Sequence, residues 1–255
     1  MNASKKIVVM GGTGLIGSRT VALLRAAGHE VMAASPSTGV DAFTGEGLAD
    51  ALRGADAVVD VTNLPSSDPA AVMSFFRTST ENLMAAEAAA GVRVHILLSI
   101  VGADRLRGNF HLDAKVVQEE LVRQSGQPHT IVRATQFFEF LGALADGSTV
   151  DGAVRLAKCQ FQPIAADEVA AALAGAATAD AINGVIEIAG PERAGFAEIV
   201  GRYLRAVGDP RAVEADADVG YFGGRVSDLS LVPLGEARLG RTDLDGWLQS
   251  RKSAA

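Results

Sequence analysis

The chain has 255 residues, 48% hydrophobic and 21% charged, which is the balance of a globular protein with a sizeable core. A net charge of -7 with no local basic cluster argues against nucleic acid as a partner. The single cysteine, Cys159, excludes an intrachain disulfide. No apolar run nears the ~18 residues of a membrane span, and the one within Met1 to Met10 is too short for a signal peptide. The expectation is a cytoplasmic protein with no membrane partner, a monomer or homodimer that takes a small-molecule substrate.

The elements follow in order. Ile7 to Met10, apolar on both faces, predicts a buried strand of a parallel sheet. Ser18 to Ala27 predicts a helix stopped at Gly28. Glu30 to Ala34 reads as a strand, Gly47 to Leu52 as a short helix before Gly54, and Ala57 to Val61 as a strand. Pro69 to Ala90 predicts a long helix ended by Gly91; Val94 to Ser99, Asp113 to Gln124 and Thr130 to Arg133 continue as strand, helix, strand. This alternation predicts an α/β fold, a Rossmann-type doubly wound parallel sheet. After about Thr135 the rhythm loosens. Asp167 to Ala177 reads as a helix with Asp167 as N-cap, Val185 to Ala189 as a strand, and Phe196 to Val207 as a helix ended by Gly208. Val213 to Gly240 reads as loop and short elements over a cleft. The expected organisation is one domain over 1–255. Its cofactor-binding core covers about 1–135; about 136–255 supplies a small C-terminal substrate lobe and closing elements.

Between the first strand and the first helix stands Gly11-Gly12-Thr13-Gly14-Leu15-Ile16-Gly17. In a G-x-x-G-x-x-G turn the first glycine permits the tight turn and the second lets the backbone approach a pyrophosphate. The third lets the helix pack on the sheet, and the helix N-terminus offers free N–H groups to phosphate. A dinucleotide site is implied. NAD sites usually carry an acid at the end of the second strand, about 20 residues on; here Ala34-Ser35-Pro36-Ser37-Thr38 has none. Ser35 and Ser37 could donate to a 2′-phosphate, and Arg19 could reach it as a cation. NADP(H) is therefore expected in preference to NAD(H). No His, Cys or Asp grouping has metal-ligand spacing.

The glycine loop, Leu97-Leu98-Ser99-Ile100-Val101-Gly102, and Arg133-Ala134-Thr135-Gln136-Phe137-Phe138-Glu139-Phe140 together resemble the atypical short-chain dehydrogenases/reductases of the NmrA-like, NAD(P)H-binding family. Phe161 to Ala170, Leu231-Val232-Pro233 and Gly246-Trp247-Leu248 extend the resemblance along essentially the whole chain. It implies that Asp41 holds the adenine ring and that Val61-Thr62-Asn63 lines the adenosine ribose. Ser99 falls at the catalytic serine, Lys115 at the lysine of a Tyr-x-x-x-Lys pair, and Arg133 to Phe138 where nicotinamide and substrate are lined, Phe137 and Phe138 as substrate-binding residues. Members of the family divide into reductases of quinones and other carbonyls, tailoring enzymes, and non-catalytic redox sensors.

One position departs from the pattern. Four residues before Lys115 stands His111, and the only tyrosines are Tyr203 and Tyr221. A phenol, pKa ~10, is brought toward working pH by the lysine; an imidazole starts near ~6.5, and a neighbouring ammonium favours its neutral form. Four apart on a helix, His111 and Lys115 share a face that Gln118 and Val122 continue, away from a core stripe of Ala114, Val117 and Leu121. His111 reads either as a proton-transfer or substrate-binding group or as a histidine with no chemical role. Glu139 is a further candidate acid, Cys159 reads as a buried thiol, and His95 and His129 as structural. The expected function is NADP(H)-dependent reduction of a small carbonyl- or quinone-type substrate, with Ser99 and His111 polarising the acceptor oxygen and Lys115 holding the ribose. Two alternatives stand beside it: a cyclase, isomerase or dehydratase using His111 as base, and a non-catalytic NADP(H) redox sensor.

Overall fold

The computed structural model describes residues 4–254; Met1 to Ala3, part of the stretch read against a signal peptide, lie outside them. The chain opens with β1 (Lys6–Met10), α1 (Leu15–Ala26) and β2 (Glu30–Ala34), then a 3-10 turn (Pro36–Thr38), α2 (Leu48–Leu52) and β3 (Ala57–Asp60). It continues through α3 (Pro69–Ala90), β4 (Val94–Ile100), α4 (Phe110–Gln124) and β5 (His129–Ala134). After a 3-10 turn (Phe138–Phe140) come α5 (Leu141–Gly147), β6 (Thr149–Val150), β7 (Ala153–Ala157) and β8 (Gln160–Phe161). The remainder is α6 (Ala166–Thr178), β9 (Gly184–Ala189), β10 (Ala194–Gly195), α7 (Phe196–Val207), β11 (Val213–Asp216), β12 (Arg238–Leu239) and α8 (Leu244–Ala254).

A seven-stranded sheet runs in the order β12-β9-β5-β4-β3-β1-β2. The β1–β2, β1–β3, β3–β4 and β9–β12 pairs are parallel. Ile7, Val8 and Val9 are fully buried, as a strand covered on both faces requires. This is the expected Rossmann-type α/β fold. A three-stranded sheet, β11-β7-β6, and a two-stranded one, β10-β8, complete the strands among the described residues.

The chain forms two compact units and passes between them several times. The first takes the described residues through Ser99, with Phe110–Arg133 and Val169–Ile186; the second takes Ile100–Asn109, Ala134–Glu168 and Glu187 onward. In the first, Val8, Met10, Val58, Leu97 and Ile131 pack with Leu52 and Leu83. Long α3 starts at Pro69 behind Asp68, whose carboxylate accepts from Ala70 N, and stops at left-handed Gly91. It lies along α4, with Val72 and Phe76 against Ala114; burying a ring such as Phe76 stabilises by about 2–3 kcal/mol. In the second unit α7 buries Phe196, Ile199, Val200 and Leu204 and packs against β7 and β11.

Three sequence expectations change. α1 begins at Leu15, three residues early, so the helix N-terminus lies inside the glycine loop. α4 begins at Phe110, and its buried side is Leu112, Ala114, Lys115, Gln118, Glu119 and Val122, while Val117 and Leu121 of the expected stripe are only half-buried. Apolar periodicity cannot find such a face, because polar groups that satisfy one another are buried as readily as leucines. Asp167 lies within the first turn of α6 and is not its N-cap.

Candidate cofactor and active site

The glycine loop is shaped by steric exclusion. Gly11 has φ +76, and its N–H donates to Ala34 O at 2.9 Å. A Cβ on Gly11 would lie 3.0 Å from Val61 O, at the end of β3. A Cβ on Gly17 would overlap Gly11 O, so α1 could not pack on its own turn. Gly12, which the motif reading passed over, is equally constrained, 2.7 Å from Ala33 Cα and Val9 O. Gly14 differs. A Cβ there would meet only Gly11 O, at 3.4 Å, so no protein atom demands glycine. Gly14 is also the N-cap of α1, with no side-chain cap and no acid in the first turn. The leading N–H groups of α1 and the bare Cα of Gly14 make a cradle that fits a pyrophosphate. Ile16 is a core side chain, so its contribution and that of Gly17 is backbone; Thr13 is exposed and Leu15 half-buried.

At the end of β2 the Ser35 and Ser37 hydroxyls lie 2.8 Å apart. Thr38 Oγ1 accepts from Ser35 N at 2.9 Å and closes the turn. Arg19, on α1, donates from Nη1 to Leu15 O at 2.8 Å, one turn back on its own helix. Asp41 uses its Oδ1 to accept from Phe43 N at 2.7 Å, so the carboxylate implied for adenine holds the 41–46 turn.

Beyond β3 the chemistry is carried by side chains. Asp60, 2% exposed, accepts from Thr62 N and Oγ1 at 2.9 and 2.7 Å. Its other oxygen accepts from Gln118 Nε2 at 2.9 Å, and Gln118 Oε1 accepts in turn from Lys115 Nζ. Thr62 therefore braces the carboxylate, and Asn63 is exposed. Lys115 is buried, its ammonium 4.9 Å from the Phe76 ring centre. Burial pushes it down to about 8 against the pull of Asp60 and Glu119.

Ser99 is 1% exposed and donates its hydroxyl proton to Glu119 Oε1 at 2.6 Å. Glu119 also receives Arg133 through Nε and Nη2, at 2.8 and 2.7 Å, and Arg123 Nη2 at 2.7 Å. Burial alone would raise the Glu119 pKa, but the Arg133, Ser99 and Arg123 hydrogen bonds outweigh it and hold the carboxyl below its usual range. One expectation is corrected here. The Ser99 proton, expected to polarise a substrate oxygen, is committed to a carboxylate. Arg133 brings its guanidinium to the same carboxylate, and its expected place beside the nicotinamide is untouched by that contact.

His111 sits in the first turn of α4, half-buried, its ring 4.5 Å from that of Phe110. Burial lowers its pKa, and a hydrogen bond with the Ser66 backbone opposes the shift in part. α4 thus brings together His111, Lys115 and the Ser99 partner Glu119. Sequence reasoning missed Asp60 and Glu119. The available signal for Asp60 was a carboxylate closing an otherwise apolar strand; for Glu119 there was none before its partners came together.

In the second unit Phe138 is 1% exposed and packs on Trp247 at 5.4 Å. A ring so enclosed has no surface for substrate, so that assignment is corrected, whereas Phe137 is half-buried and stacks on Phe140 at 5.6 Å. Glu139, the further candidate acid, accepts from Ala166 N at 3.2 Å and Trp247 Nε1 at 3.3 Å, and so holds the start of α6. Cys159 is a buried thiol that burial raises to about 11. Among the described residues no group of three or more His, Cys, Asp or Glu is placed to hold a metal, and no helix is long and apolar enough to cross a membrane.

Residues 11–180 match the family described as NAD(P)H-binding. No curated protein matches the chain. Among solved structures, MoeE5 in complex with UDP-glucose and NAD superposes with a TM-score of 0.71 at 19% identity, over 98% of this chain and 100% of that one. WbmG of Bordetella bronchiseptica in complex with NAD gives 0.71 at 14% identity, over 99% and 94%. A short-chain dehydrogenase/reductase superfamily protein of Agrobacterium tumefaciens with bound NAD gives 0.70 at 19%, over 98% and 96%. At such identities the likeness is one of fold. The glycine loop, the sheet order and the family match agree, and the chain belongs to the NAD(P)H-binding family, with the fold of a short-chain dehydrogenase/reductase.

Proposed function

We propose that the chain is an NADP(H)-dependent oxidoreductase of the atypical, NmrA-like type that reduces a small carbonyl- or quinone-bearing substrate. The observation that carries this reading is the buried ammonium of Lys115, held by Gln118 and Asp60 four residues beyond His111. Bound nicotinamide supplies the hydride. The protein grips the pyrophosphate at Gly14 and the start of α1. The Ser35 and Ser37 hydroxyls, with no carboxylate at the end of β2, suit a 2′-phosphate. The Ser99 hydroxyl hydrogen is engaged in its bond to ionised Glu119, so the proton for the acceptor oxygen falls to α4. Lys115, near 8, still carries one at neutral pH; neutral His111, its one N–H turned to the Ser66 backbone, offers its other ring nitrogen as an acceptor that orients the substrate. A free cysteine suits a reducing, cytoplasmic setting.

Stopped-flow loss of NADPH absorbance across a carbonyl and quinone panel tests the reading. Lys115→Met and His111→Ala should each lower kcat by about 100-fold or more, and kcat should fall as pH rises through 8. No turnover of any panel member by the native chain sinks it.

A second reading, a non-catalytic NADP(H) redox sensor, is favoured by one observation. The tyrosine is absent and the Ser99 proton is committed, so both customary donors to a carbonyl oxygen are missing. Tight nucleotide binding without turnover, and a protein partner whose affinity follows the NADPH/NADP+ ratio, would support it; ratio-independent affinity would remove it.

A further inference from the structure

The second unit carries a cavity of about 420 Å3 that the reading above does not use. Small-molecule sites span roughly 300–1,000 Å3. Leu144, Leu156 and Phe196 give it an apolar wall, and Tyr221 and Phe222 an aromatic one. The three rings form a chain: Phe196 and Tyr221 lie 6.0 Å apart, and Tyr221 meets Phe222 edge to face at 4.8 Å. Burial pushes the Tyr221 phenol well above its usual range, so this wall stays uncharged. Among the described residues lining the cavity, Arg155 and Asp216 are the charged ones.

Two features ask for an occupant. The first is Arg155. Its Nε is buried with no hydrogen-bond partner, its ion pair with Glu214 is long at 4.0 Å, and the side chain as a whole is 43% exposed. Asp216 Oδ1 already accepts from Asp218 N at 2.8 Å. An N–H without an acceptor is costly, and a ligand oxygen would satisfy it. The second is Phe222. It occupies the left-handed region, φ +46, in a turn closed by Tyr221 N to Gly224 O at 2.8 Å and Gly224 N to Tyr221 O at 3.0 Å. A bulky residue there is an outlier; asparagine or glycine would fit without strain. The turn is nevertheless fixed. Leu106 occupies the space that a Cβ on Gly224 would need, and buried Asn109 donates to Tyr221 O at 3.1 Å. The result is an aromatic ring held 55% exposed on the lining of the cavity. Strain that is kept in place by its surroundings, with no gain in core packing, points to a binding role.

We propose that this cavity binds a planar aromatic molecule bearing a carboxylate. The ring lies against Tyr221 and Phe222, and a carboxylate oxygen accepts from Arg155. Binding requires no dinucleotide, so this inference stands apart from the reductase reading.

Calorimetric titration of the full chain with 2-naphthoate, chosen as probe, tests it, beside a titration of each variant with NADP+. The native chain should bind 2-naphthoate. Arg155→Met should weaken that binding about tenfold and leave NADP+ affinity unchanged. Phe222→Asn should weaken it about fivefold while the melting temperature holds or rises, because asparagine relaxes the turn. That second variant decides the matter if Arg155→Met lowers the melting temperature. No binding by the native chain overturns the proposal, as does undiminished affinity in Phe222→Asn.

Discussion

The β1–α1 turn is a site made of backbone, and the buried side of α4 is a site made of side chains. In the turn, Gly11, Gly12 and Gly17 work by what they lack: each missing Cβ is space taken by another main-chain group. Nothing in it titrates. On α4 the geometry is held by charge. Glu119 gathers Ser99, Arg123 and Arg133, and Lys115 is tied through Gln118 to Asp60. The first kind of site is sensitive to single carbon atoms and indifferent to pH. The second tolerates small shape changes but responds to every proton and every missing partner.

The largest expected effect lies on the charged side. Glu119→Ala leaves the Arg133 guanidinium, 8% exposed, without its carboxylate. Urea unfolding should show a loss of about 3–5 kcal/mol; a loss below 1 would mean that Arg133 finds water or another partner. Next comes pH. The unfolded chain keeps the Lys115 proton up to 10.5, whereas the folded chain releases it near 8. The unfolded state therefore binds more protons between these values, and stability rises with pH across that window by up to about 3 kcal/mol. Below 8 the cost of burying the charge is present in full. Lys115→Met should abolish the rise, read as the difference from the native chain in unfolding experiments at pH 8 and pH 10.

The backbone site gives the sharper contrast. Gly17→Ala forces an overlap with Gly11 O and should cost about 1–3 kcal/mol and abolish NADP+ binding. Gly14→Ala meets no such overlap and should unfold within about 1 kcal/mol of the native chain, yet lose NADP+ affinity; equal losses of stability in the two variants would break the distinction. Smallest is Ser37→Ala. If its hydroxyl takes part in holding a 2′-phosphate, NADP+ affinity falls about fivefold and NAD+ affinity stays level. A parallel fall in both would show that the β2 end does not read the phosphate.

What the sequence disclosed follows the same division. Strand and helix order through β5 was legible, because a short β-branched run and a helix closed by glycine have local signatures; α3, from Pro69 to Ala90, and α7, from Phe196 to Val207, fall where periodicity and stop residues put them. The glycine loop was legible because its reason is local. The polar side of α4 was not. Glu119 acquires its meaning from Ser99, 20 residues away, and from Arg133, 14 residues away, and no spacing rule joins them. Beyond 135, β8, β10 and β12 are two residues each, too short for any period, and α5 is hidden by its glycines and alanines. Phe137 and Phe138 show the limit of a segment-level reading: adjacent in sequence, one ring is enclosed by Trp247 while the other is half-buried.

The N-cap of α1, Gly14, has no side chain with which to cap the helix. A serine or aspartate at Gly14 would satisfy the first turn from within, and the empty protein would be steadier for it. Glycine leaves that task to whatever anion arrives. Because only the folded chain can offer the cradle, dinucleotide at a hundred times its Kd adds about 2.7 kcal/mol to the folded state, close to a hundredfold fewer unfolded copies. Where proteolysis acts on unfolded copies, the expected rate of loss therefore follows the nucleotide level of the moment.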